Sequence, residues 1–145
     1  MKKMIAAIAA FGFTVMMGSY ANAEVYRSYE ESTNWRLSQP VVSISGNEAA
    51  ADAINSNIAE YVNALRSDFE NGRYYACGGN YVVHYEDDNV LSISLYLLRQ
   101  PYGANGNHNN SYDLVFDKNT GEQIPLENYV RITTSDLKQY MAYHS

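Results

Sequence analysis

Between residues 47 and 71 the side chains of Ile54, Ile58, Tyr61, Val62, Leu65 and Phe69 recur at the spacing of one helical stripe. The opposite face carries Asp52, Asn55, Asn63, Arg66 and Glu70. Gly46 or Asn47 can open this helix, Glu48 and Asp52 suit its positive end, and Gly72 can close it in a left-handed cap. Past Gly78 and Gly79 the period falls to two. Residues 81–86 form a strand, Asp87, Asp88 and Asn89 a turn, and residues 90–98 the returning strand, with Leu91, Ile93, Leu95 and Leu97 on one face and Ser92, Ser94 and Tyr96 on the other. Residues 111–117 repeat the alternation with Tyr112, Leu114 and Phe116 inward, and Lys118, Asn119, Thr120 and Gly121 turn the chain into residues 123–126.

Before the helix, residues 24–31 and 35–45 read as edge or short strands, with Pro40 favouring extended backbone before it. At the far end Thr133 or Thr134 can cap a short helix over residues 135–143, with Leu137, Tyr140 and Met141 on one side. The fold class is therefore α+β: one long helix packed across an antiparallel sheet, a meander, followed by a short C-terminal helix. No repeat divides the chain, so residues 24–145 read as one domain.

Residues 1–23 have a different character. Lys2 and Lys3 precede an apolar run from residue 4 to residue 17, and Ala21 and Ala23 supply the small residues that a signal peptidase site needs. As a helix that run reaches about 21 Å, short of the ~30 Å hydrocarbon core, so a removable secretory leader is expected rather than an anchor. Export to the periplasm or the medium follows, with no membrane-embedded segment in the remainder. Without the leader the chain keeps 8 Lys and Arg against all 16 Asp and Glu, formally −8, which disfavours a grip on nucleic acid.

Chemical motifs are sparse. Cys77 is the only cysteine, which excludes an internal disulfide and any multi-thiolate metal site. It stands beside two glycines with no helix start behind it, so a structural thiol is expected. His84 and His108 have no carboxylate at metal-ligand spacing, and no metal or cofactor is expected. Asp117, Asn119 and Gly121 imitate the start of a calcium loop but lack its fifth and twelfth ligands, so a hairpin turn accounts for them. No nucleophile elbow, phosphate loop or dinucleotide fingerprint is present.

The connection over residues 99–110, RQPYGANGNHNN, exceeds the usual hairpin loop of about 2–5 residues. Tyr102 and His108 offer flat rings, Asn105, Asn107 and Asn109 offer paired donors and acceptors, and Gly103 gives the loop freedom to turn. These six residues are the candidate ligand-binding site, suited to a glycan or a protein surface. The 14 tyrosines of the chain favour binding, because a phenol ring gives contact area at low entropy cost.

Residues 90–130 carry short motifs beyond this pattern: Leu91-Ser92-Ile93 in the strand, Gly103-Ala104 in the loop, and Asp117 through Gly121 to Leu126 in the last hairpin, with Ile54-Asn55 upstream in the helix. In these the chain resembles a family of extracytoplasmic bacterial domains of unknown function. Members occur in the non-catalytic region of the peptidoglycan deacetylase PdaC and in the lysozyme-sensing anti-sigma factor RsiV. Tyr102-Gly103-Ala104-Asn105 stands where that family has Gly-Gly-Ala-His. The resemblance implies an envelope-facing, non-enzymatic module that binds a cell-wall glycan or a basic envelope protein such as lysozyme. Two other readings remain open from the residues: a small envelope hydrolase using His108 with Asp113 or Asp117, and an assembly subunit that pairs through an open sheet edge.

Overall fold

Asn34 takes a left-handed backbone at φ 62°, a conformation asparagine tolerates, and there the first long hairpin turns. A computed structural model describes residues 7–8, 13–15, 23–103, 106–125 and 142. Its elements are β1 (Ala7–Ile8), β2 (Phe13–Val15), β3 (Ala23–Ser32), β4 (Trp35–Ile44), α1 (Glu48–Glu70), β5 (Ala76–Glu86), β6 (Val90–Gln100) and β7 (His108–Asp117). The sheet runs β1-β3-β4-β5-β6-β7, with β2 beside β1 on the outer edge of β3. The chain is α+β, with one helix over one sheet among the described residues. The short helix expected over residues 135–143 lies outside them, Ala142 excepted.

The sheet is mixed, which corrects the expectation of a purely antiparallel one. From β5 to β7 it is the expected antiparallel meander, but β4 and β5 run parallel, joined at Trp35↔Cys77, Arg36↔Gly78 and Leu37↔Gly79. The cause is the helix. Its 23 residues span about 34 Å, the length of a ten-residue strand, so α1 carries the chain back to the end of the sheet where β4 began.

The buried stripe of α1, Ile54, Ile58, Val62 and Leu65, packs with Leu91, Ile93, Leu95 and Leu97 of β6, Leu114 and Phe116 of β7, and Trp35 and Leu37 of β4. Asn47 caps α1 by accepting from the Ala50 amide at 3.2 Å, and Gly72 follows the helix at φ 72°. Two residues placed by the pattern on the polar face engage the sheet instead. Arg66 donates twice to Glu30, both at 2.8 Å, and lies over the Trp35 ring. The Asn55 amide pairs with the backbone of Val42 through bonds of 2.7 and 2.8 Å. Asp52, Asn63 and Glu70 face solvent as expected.

Asn55 also explains how β4 can leave β5 after only three residues. It supplies the donor and acceptor that a neighbouring strand would have offered to Val42, which is buried. Along β4 the buried positions shift from Trp35 and Leu37 to Pro40, Val42 and Ile44 while the β3 ladder keeps one register. Trp35, Leu37, Val42 and Ile44 all belong to the one buried cluster that α1 packs into, so the β3–β4 pair turns about its own axis between the two sets.

Candidate functional site

Strand alternation gives the sheet one face against α1 and one that no described element covers. On the uncovered face the register places Tyr29 and Glu31 of β3 beside Ser38 and Arg36 of β4, then Gly78 and Asn80 of β5, then Leu98 and Tyr96 of β6. Together they line an open groove of about 520 Å³, within the size range of small-molecule sites. Its floor is low because Gly78, the residue of β5 that faces it between Ala76 and Asn80, carries no side chain; Gly79 faces the core, where a Cβ would lie 2.7 Å from Leu37. A Cβ on Gly78 would lie 2.8 Å from the Arg36 carbonyl oxygen, so the parallel seam itself requires glycine there.

The walls combine rings with charge. Tyr96 is 43% exposed and Tyr29 faces it across the strands that form the floor. Glu31 accepts from Arg36 Nη2 at 2.7 Å and from Tyr29 Oη at 2.8 Å. The Arg36 hydrogen bond, then that of Tyr29, holds the Glu31 carboxyl below its ordinary range, and the Glu31 bond raises the Tyr29 phenol. The groove therefore offers a carboxylate, a guanidinium and the Asn34 and Asn80 amides between two phenol faces. Those groups match the hydroxyls and C–H faces of a sugar ring.

The residues expected from the loop separate into two places. The ladder runs through Arg99↔His108 and Leu98↔Asn109, so His108 and Asn109 are strand residues and the connection shortens to residues 101–107. Asn109 pairs with Leu98 and shares its groove-side face, while His108 shares the helix-side face with Arg99. There Tyr74 Oη lies 3.3 Å from His108 Nδ1, and Tyr75 meets Tyr102 edge-on with ring centroids 5.8 Å apart. Arg99 anchors this end by donating to Asp68 at 2.8 Å. Gly103 adopts φ 83°, Asn107 is exposed, and Asn105 lies outside the described residues.

A third cluster was not apparent from the sequence. A β-bulge at His84 turns its ring over the sheet, where Nε2 lies 2.7 Å from Ser94 Oγ, and Ser94 Oγ donates to Asp113 Oδ1 at 2.5 Å. The hydroxyl sits between histidine and carboxylate and is buried. A nucleophilic serine gives its proton to the histidine, whereas this one gives it to Asp113. The signal was available only through the hairpin register, which sets Ser94 opposite Asp113.

The hydrolase pairing is not assembled. His108 and Asp113 are five residues apart on a ladder without a shift, so they occupy opposite faces, and Asp117 is turned to the same side as Asp113. The Asp117 carboxylate accepts from the amides of Asn119 at 2.7 Å and Thr120 at 3.4 Å, which makes the calcium-like stretch a hairpin turn. Burial, foremost, pushes the Cys77 thiol up to about 11. Lys118 is fully buried, bonding Glu86 at 3.1 Å and the Asp87 carbonyl at 2.8 Å. Among the described residues no three metal-ligating side chains converge, and no helix is long and apolar enough to cross a membrane. No protein-family model matches this chain, and no curated protein gives a significant match.

Proposed function

We propose that this chain is an exported, non-enzymatic binding module of the bacterial cell envelope, and that its open sheet face takes a wall glycan. The observation that carries the reading is the glycine-floored groove between Tyr29 and Tyr96, with the Glu31–Arg36 pair in its wall. Export rests on residues 1–23, whose removal leaves Glu24 as the start of β3. The reading as an envelope module also rests on the resemblance to the PdaC and RsiV domains, whose motif residues have structural roles in this chain: Asn55 of the Ile-Asn pair closes the β4 edge, and Gly121 packs against Ala50 of α1. The protein purified from the exported fraction is expected to sediment with insoluble peptidoglycan, and Tyr96→Ala to remain in the supernatant. Equal retention of both would refute the groove as the site.

A second partner class is favoured by a separate observation. Tyr75 and Tyr102 are 48% and 55% exposed at the end of the β5–β6 pair, just beyond Ala76, and the chain without its leader is formally −8. An aromatic patch on an acidic chain suits a basic protein of the lysozyme kind. That binding is expected to weaken with salt and with Tyr102→Ala while peptidoglycan retention is unchanged; salt-independent capture would count against it.

A further inference from the structure

The outer edge of β3 is built to receive a strand. Val42 turns its amide and carbonyl to Asn55 and away from β3, so its partner Val25 forms a non-hydrogen-bonded pair and points its own groups outward. By alternation Arg27, Tyr29 and Glu31 do the same. Residues of the leader already occupy parts of this edge in antiparallel register: β2 through Phe13↔Tyr26, Thr14↔Val25 and Val15↔Glu24, and β1 through Ala7↔Glu31 and Ile8↔Glu30. Removal of residues 1–23 leaves the edge without these strands.

We infer that the edge then pairs antiparallel with β3 of a second copy, about a twofold axis at Tyr29. The side chains select that register. Centring on Tyr29 sets Arg27 of each copy opposite Glu31 of the other, with Ser28 opposite Glu30 and Tyr26 opposite Ser32, so no like charges face each other. Centring on Arg27 instead sets Arg27 against itself and Glu24 against Glu30, which is unfavourable on both counts. A copy bound this way continues the sheet, and Tyr29 lines the groove. The two grooves therefore meet along one extended face, matched to a polymer that engages both at once with the gain of bivalency. The inference rests on reading residues 1–23 as a removable leader and the groove as a glycan site.

The experiment is sedimentation velocity on the full chain expressed for export, with the mass of the purified protein recording whether residues 1–23 are gone. Processed protein is expected to dimerise, and Arg27→Glu or Glu31→Lys alone to weaken the dimer about tenfold or more by placing like charges opposite one another. Mixing the two variants is expected to restore a heterodimer, because each substituted position then faces its opposite charge; a merely structural defect would not be rescued. Processed protein that stays monomeric, or variants that dimerise as the parent does, would overturn the edge pairing while leaving the groove reading intact. Exported protein that retains residues 1–23 would overturn the reading of the leader, and the edge pairing with it.

Discussion

The side-chain amide of Asn55 accepts from the Val42 amide at 2.7 Å and donates to the Val42 carbonyl at 2.8 Å, taking the place of a sheet strand beside β4. Val42 is buried, so truncation at position 55 strands a donor and an acceptor away from water. Asn55→Ala is expected to cost about 2–4 kcal/mol in chemical denaturation. Asn55→Asp keeps an acceptor for the amide but turns a second oxygen on the carbonyl, and is expected to be no better at neutral pH. A loss under about 0.5 kcal/mol would contradict this role, being the range of ordinary surface substitutions.

Gly121 is a close-approach glycine. At φ 78° it turns the chain against the start of α1, where an added Cβ would lie 2.4 Å from the Ala50 carbonyl oxygen and 2.6 Å from Ala53 Cβ. Gly121→Ala is expected to lower stability by about 2 kcal/mol or more. Gly106→Ala, where a Cβ meets nothing within 4 Å, is the control and should melt with the parent.

The buried Lys118–Glu86 pair gives stability a pH dependence of definite sign. Burial, outweighing the Lys118 bond, raises the Glu86 carboxyl above its ordinary range. A raised carboxyl favours the folded state at low pH, and that contribution is lost as pH rises from the ordinary value through the raised one. Lys118→Met removes the compensating charge, so its thermal destabilisation is expected to be larger at pH 8 than at pH 5. A larger loss at pH 5 would contradict the assignment.

Cys77 is 3% exposed, and burial raises its thiol to about 11. Thiol reagents at pH 8 are expected to leave the folded chain unlabelled and to modify it fully in denaturant. Rapid labelling of the native protein would show that β5 opens readily at its first turn of ladder.

The sequence made the long helix and the β5–β7 meander legible because periods of 3.6 and 2 are local. Ile54, Ile58, Val62 and Leu65, and Leu91, Ile93, Leu95 and Leu97, are buried as their spacing requires. What escaped depended on partners far along the chain. Asn55 and Arg66 are polar, and nothing local distinguishes a solvated helix face from one that reaches Val42 or Glu30. Pro101, Gly103, Gly106 and four asparagines made residues 99–110 read as one loop, although the β6–β7 ladder continues into both ends. The groove was hidden for the same reason: its floor is an absence of a side chain at Gly78, and its walls come from β3, β4 and β6.

The central claim is that a glycan lies on that floor, and the most direct measurement is an amide NMR titration of the exported protein with soluble peptidoglycan fragments. Glycine amides resonate apart from most others, and the chain places them usefully: Gly78 and Gly79 under the groove, Gly103 and Gly106 in the loop. Saturable shifts at Gly78, Gly79 and Asn80, lost in Tyr96→Ala, are the predicted result. Shifts confined to Gly103 and Gly106, or none at all, would contradict it.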